Sequence, residues 1–145
     1  MFYNSEILLY IIVDFKRESN ILQRIIIIAG PSGVGKTTVS KYLTEKYNIP
    51  RVVTHTTRPI RQGEIPGKSY YFETDESFKK LHFFEHVKYG EYQYGSSKEA
   101  LEKAWAKNDL VSLIVETDGV KSYLEKLGKQ AYFIYLTVSD FSVLK

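Results

Sequence analysis

The sequence contains no cysteine, which removes a disulfide scaffold, a thiolate metal site and a cysteine nucleophile. That absence fits a reducing compartment, and a cytoplasmic protein is the expectation. An excess of one charge is lacking too: 20 basic residues stand against 17 acidic ones, for a formal net charge of +3, and no long basic run occurs. Nucleic acid is therefore not an expected partner, and any basic site has to be local. Long apolar runs are also missing. The longest near the start, residues 7–13 (ILLYIIV), falls far short of the roughly 20 residues that cross a bilayer. Glu6 precedes it, where a signal-peptide core would follow basic residues. It reads as a buried or edge strand within an N-terminal extension, residues 1–24, and no membrane partner is expected. The three histidines, His55, His82 and His86, show no ligand spacing, so they read as structural or exposed and no histidine-bound metal is expected.

What is present suits one compact domain: 145 residues, 43% hydrophobic and 26% charged. Residues 25–29 form a continuous, mostly β-branched apolar run, as a strand covered on both faces requires. After a glycine-rich turn, Val39, Tyr42, Leu43 and Tyr47 fall on one helical face, with Lys41, Glu45 and Lys46 on the others. A strand is predicted at residues 51–55 (RVVTH), after Pro50. From Thr56 to Gly95 the chain turns rich in Gly, Pro, Arg and Tyr, with a short helical pattern near residues 75–81, and reads as an inserted polar lobe of about residues 56–95. Ser96 and Glu99 then have the spacing of a capping box opening a helix on which Leu101, Ala104 and Trp105 share a face. A buried strand (110–116), a short helix (119–127) closed by Gly128, and a strand (131–138) follow. Strands separated by helices imply right-handed crossovers and a parallel α/β sheet.

Gly30, Pro31, Ser32, Gly33, Val34, Gly35, Lys36 and Thr37 satisfy the pattern G-x-x-x-x-G-K followed by Ser or Thr. The glycines let the backbone curl so that successive N–H groups converge on a phosphate, and the helix that follows adds the positive end of its dipole. Lys36 would reach the β and γ phosphates of a nucleoside triphosphate, and the Thr37 hydroxyl would ligate Mg²⁺. Thr38, next in line, completes the phosphate-binding set. The fold expectation is therefore a three-layer α/β domain of the P-loop NTPase type.

The polar lobe carries a second cluster. Arg58 and Arg61 lie near Lys68, Tyr70 and Tyr71. Two guanidinium forks with a tyrosyl hydroxyl suit a phosphate monoester, while a solvated basic loop pairing with Glu64 is the plainer alternative. Ser96 can equally cap the next helix, and Tyr92 or Tyr94 can equally be packing aromatics in a chain with 12 tyrosines.

The stretches GPSGVGKTT, TTRPIRQGEIPGKSYYF, FFEHVKYGEYQYGSS and DGVKSYLEKL, in this order and spacing, resemble the guanylate kinase family over residues 25–145. The resemblance implies transfer of the γ-phosphoryl group of ATP to GMP, giving ADP and GDP, with Lys36, Arg58 and Arg61 as catalytic groups. It implies that Arg58, Arg61, Tyr70 and Tyr94 hold the GMP phosphate and that Glu85, Ser96 and Thr54 read guanine. Glu116 matches an aspartate of the family that serves the metal and acceptor site, and Ile114 stands where a second acid is usual. The family's arginine-bearing lid, preceded by a helix near SDFSVLK, and its final strand and helix would lie beyond Lys145, so a domain short of its C-terminal part is expected. The competing expectation is a nucleotide-binding or protein-interaction module of this kind without turnover.

Overall fold

The computed structural model describes residues 22–137. The strand reading at residues 7–13, most of the N-terminal extension, and the chain from Val138 onward, including the helix expected near SDFSVLK, lie outside the described residues.

Strand β1 (Arg24–Ala29) is buried at every position. It runs between two parallel neighbours, β6 (Leu110–Ile114) and β7 (Ala131–Tyr135), in the order β6-β1-β7. Its alternate side chains feed two cores. Ile26 and Ile28 pack with Val39 and Leu43 of helix α1 (Lys36–Tyr47). Ile25, Ile27 and Ala29 pack with Leu101 and Ala104 of α3 (Lys98–Trp105) and with Tyr123 and Leu127 of α4 (Val120–Leu127). Helices thus cover both faces of a parallel sheet, the arrangement that demands a strand apolar throughout. The expected three-layer α/β architecture is what forms.

The strand predicted at residues 51–55 divides instead. Arg51 makes one parallel bridge to Ser112 on the β6 edge, and the chain then leaves for a second sheet, where His55–Thr56 form β2. That sheet is the lobe, with strand order β3-β2-β5-β4. Strand β3 is Tyr71–Phe72, β4 is Phe83–Tyr89 and β5 is Tyr92–Ser97. The β4–β5 hairpin turns at Gly90, whose φ of 60° is costly for residues with a Cβ. Helix α2 (Asp75–Lys79) opens on a capping box between Thr74 and Ser77. Buried His55 ties the lobe together, its Nδ1 2.8 Å from Glu73 Oε1 and its Nε2 2.6 Å from Ser97 Oγ.

The cap of α3 is displaced by one residue from its predicted place. Ser97, not Ser96, accepts the helix N–H, from Ala100 at 3.0 Å. Ser96 is still in strand β5, in register with Glu85. Glu99 accepts from the His82 backbone N–H rather than from a capping residue. Strand pairing outcompetes the local capping signal, because β5 keeps its ladder through Ser97.

Candidate active site

The phosphate loop joins the end of β1 to the start of α1. Gly30 has a φ of 149°, and a Cβ there would overlap the Leu136 carbonyl oxygen, so the loop passes directly against the chain leaving β7. Val34 is fully buried and anchors the turn. Gly35 caps α1 with a φ of 102°, and no side chain accepts from the first turn. The Lys36 ammonium donates back across the loop to the carbonyls of Gly30 (2.6 Å) and Pro31 (3.2 Å), and Thr37 and Thr38 stand exposed beside it. A helix start without a side-chain cap, next to an ammonium, is a ready site for phosphate.

Thr37 also lines a cavity of about 370 Å³ that is walled by Thr54, Tyr70, Glu85, Tyr94, Ser96, Glu116 and Tyr123. Six of the eight positions read as GMP-binding meet there, although they come from β2's approach, the lobe hairpin and the end of β6. Glu85 and Ser96 are cross-strand partners on β4 and β5, which sets a carboxylate beside a hydroxyl. The Glu85 side chain lies against Gly119, where even a methyl group would overlap it, and its Oε2 is buried with no hydrogen-bond partner. Burial first, then the charges of Glu116 and Asp118, push the Glu85 carboxyl above the usual carboxylate range. A buried acceptor without a protein donor is costly, and the cost falls when a ligand supplies the donor.

Arg58 and Arg61 stand outside the cavity lining. Arg58 is buried, not solvated: its guanidinium forks onto Glu64 at 3.0 and 2.7 Å, donates to the Pro59 carbonyl at 2.8 Å, and lies over the Tyr70 ring at 5.4 Å. The pairing with Glu64 that the sequence left open is therefore present. That hydrogen bond first, then the Arg61 backbone N–H at 2.7 Å, holds the Glu64 carboxyl down at about 2. The Arg61 side chain is exposed. Tyr70 and Tyr94 contact each other edge-on, with ring centroids 6.1 Å apart.

Among the described residues no group of three or more His, Cys, Asp or Glu forms a metal cluster. The Thr37 hydroxyl and Glu116 carboxylate, which line the same cavity, are hard oxygen donors. Two such ligands, with the remaining positions left to phosphate oxygens and water, suit Mg²⁺. Two participants went unread in the sequence. Gly119 and Tyr123 sit in the stretch DGVKSYLEKL, which carries part of the family resemblance but, read by itself, shows only a short helix and nothing that separates either residue from packing.

Residues 22–145 match the protein family described as Guanylate kinase. A guanylate kinase of Sus scrofa is 34% identical over 128 residues, which is 84% of this chain and 64% of that protein. One from Clostridium tetani is 39% identical over 126 residues, covering 83% of this chain and 60% of its own length. One from Lactiplantibacillus plantarum is 35% identical over 127 residues, with coverage of 83% and 61%. The chain thus spans between 60% and 64% of the length of these relatives. The crystal structure of a guanylate kinase from Anaplasma phagocytophilum resembles the fold with a TM-score of 0.60 at 28% identity, over 80% of this chain and 60% of that one.

Proposed function

The chain belongs to the guanylate kinase family, and we propose that it transfers the γ-phosphoryl group of ATP to the phosphate of GMP, releasing ADP and GDP. The observation that carries this reading is the shared cavity: Thr37 of the phosphate loop and the Glu85–Ser96 pair of the lobe line one space. A donor phosphate and an acceptor base can be held together there.

Transfer between two anions depends on positioning and charge neutralisation more than on covalent chemistry. The loop N–H groups and Lys36 hold the ATP phosphates, with Pro31, Ser32 and Gly33 in the same turn and Thr38 in the first turn of α1. Mg²⁺, held by Thr37 and Glu116, would neutralise charge on the transferring group. Arg61 has its side chain free in solvent to meet the GMP phosphate. Arg58, stacked over Tyr70 and paired with Glu64, would share that anion by exchanging part of its bond to Glu64 for the phosphate, and Tyr70 and Tyr94 would complete that end. Glu85 accepts from the N1–H and exocyclic amine of guanine, a donor pair that adenine does not present. Ser96 and Thr54 add hydroxyls. Among the described residues no helix is long and apolar enough to cross a membrane, and a cysteine-free chain with balanced charge suits a cytoplasmic enzyme that handles nucleotides rather than nucleic acid.

The test is coupled detection of ADP formation with GMP, AMP and dTMP offered as acceptors. GMP-dependent turnover supports the reading. GMP binding without turnover would replace it with a nucleotide-binding module.

A further inference from the structure

We propose that Tyr123 sets the hydrogen-bond polarity of the base pocket: its hydroxyl donates to Ser96 Oγ, which occupies one Ser96 lone pair and leaves the Ser96 proton for the ligand. This rests on the guanine-pocket reading above and names the residue that sharpens its selectivity. Tyr123 is 2% exposed, lines the cavity, and packs its ring against Phe84 with centroids 5.7 Å apart. Its hydroxyl is hydrogen-bonded to Ser96 Oγ. Either oxygen could donate, and acidity decides between them, since a phenol is a stronger donor and weaker acceptor than an aliphatic alcohol. Burial pushes the Tyr123 hydroxyl up to about 12, so its proton stays in place across physiological pH.

The consequence follows from register. Ser96 pairs with Glu85, so the pocket presents a hydroxyl donor beside a carboxylate acceptor. A purine with an oxo group beside a ring N–H meets both in the correct sense. An aminopurine in the same pose turns donor on donor and acceptor on acceptor, and mismatched buried polar groups are strongly rejected. Without the Tyr123 hydroxyl, Ser96 could rotate and accept from an amino group. Tyr123 is a positioning residue, because it acts through Ser96.

The experiment is equilibrium binding of GMP, IMP and AMP to the full chain and to its Tyr123→Phe, Ser96→Ala and doubly substituted forms, with ATP as a control. IMP isolates the oxo edge from the exocyclic amine. Tyr123→Phe should lower the IMP-to-AMP affinity ratio about five- to tenfold, leave ATP affinity unchanged, and have no further effect once Ser96 is alanine. Ser96→Ala should lower the same ratio from the other side of the pair, which keeps the idea testable if Tyr123→Phe folds poorly. An unchanged ratio in either single variant, or an equal further fall in the double variant, overturns the role of Tyr123. Failure of the unsubstituted chain to bind GMP overturns this proposal and the parent reading together. Selective GMP binding with an unchanged ratio in Tyr123→Phe overturns this one alone.

Discussion

The phosphate loop and the lobe pocket solve binding in opposite ways. The loop is a contiguous segment whose working atoms are largely backbone N–H groups, shaped by glycine conformations at Gly30 and Gly35 and by the start of α1. The lobe pocket works through side chains drawn from separate elements, and its polarity depends on what those chains touch: Glu85 on Gly119 and Ser96 on Tyr123, with Arg58 held on Glu64 outside the lining. A backbone site withstands changes around it as long as the turn keeps its shape. A side-chain site is only as good as the neighbours that hold each group.

That contrast predicts a separation of effects, the largest at the loop. Lys36→Ala removes the charge that follows the transferring group, and should cost about 10²–10³-fold in turnover while leaving GMP affinity unchanged. Coupled ADP detection with calorimetric GMP titration checks both. A parallel fall in GMP affinity would show that the two regions are one site energetically.

Next in size is Glu85→Gln. Loss of a charge-assisted hydrogen bond, about 1.5–3 kcal/mol, should weaken GMP by one to two orders of magnitude and leave ATP binding alone. Stability should move the other way. The folded Glu85 carboxyl sits above its ordinary range, so the folded chain holds that proton more readily than the unfolded chain. Its contribution is most favourable at low pH and declines as pH rises through the raised value. Melting temperatures of Glu85→Gln should therefore exceed those of the parent chain by a margin that widens from acid to neutral pH. An unchanging margin would mean that the carboxyl is not buried as described.

The smallest effect is expected at Glu64, because its partner bond is partly screened by solvent. Its folded value of about 2 lies below the ordinary 4.5, so the stability it contributes is fully present above pH 4.5 and is lost as pH falls toward 2. Glu64→Gln should be less stable at neutral pH and flatter across that acid window. Denaturant midpoints measured across the window decide it, and coincident slopes for the two chains would remove the Arg58–Glu64 pair as a support of the lobe.

Much of the fold was readable because its signals are local. A short, mostly β-branched apolar run that ends at a glycine favours a covered strand over a helix, and β1 is buried at each position. The helical faces of Val39 with Leu43, and of Leu101 with Ala104, are those that pack. The lobe was less readable. Residues 83–97 mix aromatic, charged and glycine residues because one side of the hairpin faces a polar cavity, and that blurs the two-residue alternation by which strands are recognised. Residues 51–55 looked like one strand because nothing local marks the point where a chain leaves one sheet for another. The capping signal at Ser96 was real chemistry in the wrong place, since the β5 ladder continues one residue further.

The sequence by itself determined the anion-binding turn, the central strand, and which polar residue types crowd the inserted lobe, because each depends on neighbours within a few positions. Only the tertiary structure decided that Arg58 would be buried on Glu64, that Glu85 Oε2 would lie unpartnered against Gly119, and that Ser96 would face Tyr123 rather than cap a helix. Those outcomes depend on strand register and on the packing of α4 against β4. Such contacts join residues far apart in the chain, and no local pattern of residue types encodes which oxygen will meet which.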